Sequence, residues 1–129
     1  MLLTTELLDS ISATAKASPR LRTNFNLHES VDEPVQRMLN AMEPGTIVPI
    51  HRHLNAAETI VLVRGKLKVS YYDSNKNQTN SVVLEPGSSS FGAHIPKGVW
   101  HDVDVLESKT VIFEVKEGPY RPLSEDEVL

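Results

Sequence analysis

The sequence contains no cysteine. Disulfides and thiolate metal sites are thereby excluded, and any bound metal must sit on imidazole and carboxylate groups. It also lacks an excess of positive charge: 13 Lys and Arg stand against 17 Asp and Glu, a net −4 that argues against the basic footprint of a nucleic-acid binder. No apolar run approaches the length of a membrane span. The start, MLLTTELLDSISATAKASPR, has neither the basic lead nor the apolar centre of a signal peptide. A cytoplasmic protein with no nucleic-acid or membrane partner is the expectation. Aromatic residues are scarce at 5%, with one tryptophan, so aliphatic side chains must build the core. The 129 residues, 40% of them hydrophobic, suffice for one domain with a single core.

Helical spacing is confined to the start. In residues 4–17, Thr4 or Thr5 can cap a helix, Leu7, Leu8, Ile11 and Ala15 share a stripe, and Pro19 follows the end. Residues 20–34 are polar and irregular, a loop with room for a short edge strand. From residue 35 the pattern becomes short strands between turn residues: 35–42, 46–53, 58–64, 67–72, 81–85, 101–107 and 110–117. The polar stretch 73–80 reads as a hairpin loop. The tail 119–129 is Pro-broken and acidic, with room for one helical turn. Strands at this spacing predict an all-β sandwich or barrel. The division expected is a helix and lead-in arm (1–34), a barrel (35–118) and a solvated tail (119–129).

Two of the five histidines stand at His51 and His53. On a strand, residues two apart face the same side, so both imidazoles project together, as a transition-metal site requires. Glu58 follows a four-residue break, where an antiparallel return brings it opposite the pair. His101 opens a strand whose alternate residues Val103 and Val105 are apolar, so its face is the inward one. Trp100 then faces away from the metal, in core or interface packing. His94, between Gly92 and Pro96, is a candidate acid or base at the cavity mouth. His28 reads as a loop residue. Arg20, Arg22, Arg37, Arg64 and Arg121 are expected to be solvated, although one or two at a barrel mouth could bind phosphate or carboxylate. No second carboxylate stands out to pair with Glu58 as acid and base.

Gly45 to Gly65 reads G-x5-H-x-H-x4-E-x6-G, and Pro96 to His101 reads P-x-G-x-x-H. The two stretches resemble the first and second cupin motifs. The resemblance implies a single small jelly-roll barrel with a short N-terminal helix, holding one divalent transition metal ion (Zn, Mn, Fe, Ni or Co) on His51, His53, Glu58 and His101. Gly45, Gly65, Pro96 and Gly98 are the turn formers that position these ligands. Two positions depart from the pattern: Ser90 stands where a glycine is expected and Val105 where an asparagine is expected. Neither is a ligand position. RTNFNLHE, VQRMLNAMEPGTIVPIHRH and GPYRPL are further similar to the WbuC family of cupin-fold metalloproteins, which implies a setting in surface-polysaccharide metabolism.

Three activities suit such a site. The first is a metal-dependent enzyme on a small sugar-derived substrate, of isomerase, epimerase or hydrolase type. The others are an iron-dependent dioxygenase and a non-catalytic module that binds a carbohydrate or carboxylate. A homodimer joined through residues 1–40 is expected, because the helical stripe has no partner that the sequence specifies.

Overall fold

The structure, a computed structural model, describes residues 1–129. Helix α1 runs Thr5–Ala17. Its start is capped by Thr4, whose side-chain oxygen accepts the Leu7 N–H at 3.2 Å, and it stops at Ser18, one residue before Pro19. Eight strands follow: β1 (Arg22–Asn26), β2 (Val35–Met42), β3 (Glu58–Arg64), β4 (Leu67–Tyr72), β5 (Gln78–Leu84), β6 (Gly92–Ile95), β7 (Trp100–Val105) and β8 (Thr110–Glu117). They form two antiparallel sheets, ordered β1-β2-β8-β3-β6 and β5-β4-β7. This is the all-β sandwich with one helix that the sequence predicts. No helix is long and apolar enough to cross a membrane.

Alternation along β2, β3 and β8 separates two apolar clusters. Met42, Ile60, Leu62 and Ile112 point between the sheets, where they meet Leu67, Val69, Leu84 and Val105. Leu39, Ala41 and Val111 point outward and are covered by Ile11 and Ala15 of α1, with Leu7 and Leu8 packed beside them. The helical stripe therefore has its partner within the chain, which the sequence alone did not specify. Arg64 fixes the helix in place, donating to Asp9 at 2.8 Å and to Ser12 at 3.0 Å.

Three further segments differ from the sequence reading. Residues 46–53 form no ladder strand, because Pro49 has no N–H to donate; only His51 pairs with neighbours, as isolated bridges to His101 and Val128. β6 is a strand of four residues between Ser- and Pro-containing turns, too short to show a periodicity. The tail, although largely exposed, is held against the barrel. Its 3-10 turn, Glu125–Glu127, lies beside the histidine segment, where the Glu127 carbonyl accepts the Arg52 N–H at 2.9 Å and Leu129 N–H donates to Ile50 at 3.0 Å.

The β3–β4 turn depends on Gly65. Its φ is +87°, and a Cβ there would lie 2.6 Å from the Cα of Thr110. Gly65→Ala combines a left-handed backbone with a clash against main chain, and is expected to cost about 3 kcal/mol. A lowered urea midpoint with unchanged slope checks it. At Ser90, the first departure from the cupin pattern, no positive φ is required. The turn after β5 places its left-handed residue at Gly87 (φ 75°), and the Glu85 N–H donates to the Ser90 carbonyl at 3.0 Å. Val105, the second departure, is a core residue.

Candidate metal centre

His51 and His101 exchange both backbone hydrogen bonds, each N–H donating to the other's carbonyl at 2.9 Å. Directly opposed residues of an antiparallel pair present their side chains on one face. Their rings lie 4.3 Å apart between centroids, and that of His53, two residues on, lies 5.1 Å from that of His51. Glu58 reaches them from β3 in the other sheet. Its Oε1 accepts from His101 Nε2 at 2.9 Å, and its Oε2 is 3.8 Å from His53 Nε2. One ligand atom each from His51, His53 and Glu58 fall within 4.8 Å of one another, and His101 joins them through Glu58. All four residues singled out in the sequence come together at one end of the barrel.

The donor set fits a divalent transition metal. His51 Nδ1–H donates to the Pro49 carbonyl at 2.8 Å and His101 Nδ1–H to the Val99 carbonyl at 2.9 Å, so each ring is fixed with Nε2 turned toward the cluster, that of His101 engaged with Glu58. Burial, reinforced by the charge of His101, lowers the His51 pKa to about 4 and keeps that imidazole neutral, the form that ligates. His53 is lowered as well, again mainly by burial. Burial alone would raise Glu58, but the hydrogen bond and charge of His101 outweigh it and hold the carboxyl at about 2. Burial likewise opposes charge on His101, and Glu58 overrides it, raising that pKa above the ordinary value. Three imidazoles and a carboxylate would be the protein's donors to such an ion.

Sequence reasoning missed two residues here. On β8, Glu114 and Lys116 share the inward face with Ile112, since β3 sets Ile60 opposite Glu114 and Glu58 opposite Lys116. Glu114 accepts from Asn40 Nδ2 at 2.9 Å and lies 3.8 Å from Lys116 Nζ. Burial, then the neighbouring charge of Glu58, pushes its pKa up to about 7. The second carboxylate that the sequence did not reveal is therefore present. The period-two pattern Ile112, Glu114, Lys116 was the available signal: two charges in phase with a core residue.

His94 is a correction. Its register partner on β3 is Thr59, one residue out of phase with Glu58, so it lies on the outer face, 2.9 Å from Thr59 Oγ1. A role as acid or base in the cavity is not open to it there. His28 is buried and accepts the Arg37 N–H at 3.1 Å, a structural contact away from the four clustered residues. Trp100 is buried under the Arg52 guanidinium, 4.3 Å above its ring. A cavity of about 260 Å³ opens beside His53 and Lys116, walled by residues 54–56 and by the tail, with Glu117, Arg121 and Glu127 on its rim.

Residues 3–84 match the family described as Domain of unknown function (DUF6016). The chain belongs to this family. No curated protein matches it. Among solved structures, KdgF from Halomonas sp. superposes with a TM-score of 0.62 at 16% identity, over 81% of this chain and 84% of KdgF. CapF, a capsular polysaccharide assembling protein from Staphylococcus aureus, gives 0.62 at 20% identity over 83% of this chain, which spans 29% of CapF. The cupin domain of a Schizosaccharomyces pombe protein gives 0.59 at 9% identity, over 74% of this chain and 64% of that domain. This DUF6016 protein has the cupin fold, and the cluster at His51, His53 and Glu58 is suited to a metal ion.

Proposed function

We propose that this DUF6016 protein is a metal-dependent enzyme acting on a small polar, sugar-derived substrate. His51, His53, Glu58 and His101 would hold one divalent ion. The observation that carries the reading is the convergence of these residues with Glu114 at one end of the barrel, beside a cavity that opens at His53. When bound, the ion supplies Lewis-acid chemistry, polarising a carbonyl or activating a water. The chain's own residues supply the proton traffic. Glu114, with a pKa near 7, can give or take a proton at neutral pH, and Asn40 orients it by donating to Oε1. Glu58 stays ionised beside it. Such a pair suits isomerisation, epimerisation or hydrolysis.

The sugar part of the reading rests on the WbuC-like segments. Two of them are at the site: VQRMLNAM is β2, which supplies Asn40, and GPYRPL walls the cavity. The test is turnover of sugar phosphates, nucleotide sugars and uronates by metal-replete protein. Glu114→Gln should lower kcat about 100- to 1,000-fold with metal content unchanged. No product from any substrate, with ligands bound but returned unaltered, would instead favour a non-catalytic binding module.

A further inference from the structure

We infer that Lys116 and Arg121 form an oxyanion subsite in the cavity beside His53, so that the ligand carries a carboxylate or a phosphate. The inference deepens the proposed function and rests on its reading of this cavity as the approach to the metal. Both acids of the rim are engaged with backbone. Glu117 Oε1 accepts the Ala57 N–H at 3.0 Å and its Oε2 lies 3.6 Å from Lys97 Nζ. Glu127 Oε2 accepts the Leu54 N–H at 2.8 Å, and its Oε1 accepts the Ser124 N–H at 3.0 Å. Those bonds hold both carboxyls below their ordinary range.

Several backbone donors around the wall are used in the same way. Leu54, Ala57 and Ser124 give their N–H groups to these carboxylates, Gly118 donates to the Pro34 carbonyl at 2.8 Å, and Pro119 and Pro122 have none. The cations make no side-chain hydrogen bond. Lys116 Nζ has three donors, and its ion-pair partner, Glu114 Oε2, is 3.8 Å away, beyond hydrogen-bond distance. Lys116 is only 18% exposed, so its ammonium is held at the inner wall rather than released to bulk water. Arg121 offers five donors and makes no side-chain hydrogen bond or ion pair, although it lines the same cavity. Two cations without a hydrogen-bond partner in the protein, beside acids already turned toward backbone, are matched by an anionic oxygen group. An uncharged sugar would leave both donor sets unpaired.

Binding is measured calorimetrically on the full chain, metal-replete and after chelator treatment, with inorganic phosphate, D-glucuronate and D-glucose as probes. Metal content is determined on every sample. Phosphate or glucuronate should bind at least tenfold more tightly than glucose, and the stronger of the two identifies the oxyanion. Arg121→Gln, at an exposed position with no partners, and Lys116→Met should each weaken that binding about tenfold. Comparable affinity for glucose, or full anion affinity in both variants, overturns the subsite even when the metal is present. Anion binding that depends on Lys116 and Arg121 in a protein unable to hold metal would keep the subsite and remove the metal reading.

Discussion

Replacing His51 and His53 together with alanine is expected to take bound metal from about one ion per chain to none while leaving the barrel folded. The two effects separate because the ligands and the core are different residues. The apolar floor of the barrel, from Met42 and Ile60 to Leu84 and Ile112, includes no ligand. The bonds between His51 and His101 that close this end of the barrel are made by backbone and survive truncation of the side chain. What is lost is the mass-action stabilisation by bound metal, about 4 kcal/mol when free metal stands at 1,000 times its dissociation constant. Chelator should therefore lower the melting temperature of the natural protein and leave that of the double variant unchanged. Elemental analysis that still finds one ion per chain in the variant would refute the site.

Much of this was legible in the sequence because it is local. Thr4 and Pro19 bracket a helix whose stripe is visible residue by residue, and β3, β4 and β8 fall between turn residues that their own chemistry marks. The four clustered residues were legible for a different reason. Fixed spacing along two segments carries information that periodicity alone does not. What stayed hidden was register. Whether His94 faces inward depends on its standing opposite Thr59 rather than Glu58, a one-residue choice that no single strand records. Glu114 was obscured by the same gap, since a charged residue on a strand is ordinarily solvated and only the pairing with Ile60 turns it inward. The attachment of the tail was also hidden from composition: the Glu127 carboxylate and the Asp126 and Glu127 carbonyls accept from the histidine segment, while the Glu125 and Asp126 carboxylates face water as expected.

Metal affinity is expected to rise about tenfold per pH unit through the range in which His101 loses its proton, and then to level off. Three of the four ligands carry no proton that metal must displace near neutrality. Glu58 titrates at about 2, His51 at about 4, and His53 below its ordinary value. His101 is the exception, because Glu58 raises its pKa above 6.5. In the metal-free protein it keeps a proton in the neutral range, donated to Glu58 at 2.9 Å, and ligation requires that proton to leave. One proton should therefore be released per ion at pH 6, and close to none well above the His101 pKa. Below about pH 4 the protonation of His51 makes the fall steeper. Calorimetric titrations in buffers of different ionisation enthalpy count these protons directly. Absence of proton release at pH 6, or full occupancy retained at pH 4, would contradict the ligand set. The same pKa shift acts oppositely on the metal-free fold. A group raised on folding contributes stability that is complete below pH 6.5 and lost as pH climbs through its folded value. Alkaline solution should thus weaken the His101–Glu58 pair in the range where metal affinity is expected to be greatest, where a bound ion would take over from the proton in joining the two sheets at this end of the barrel.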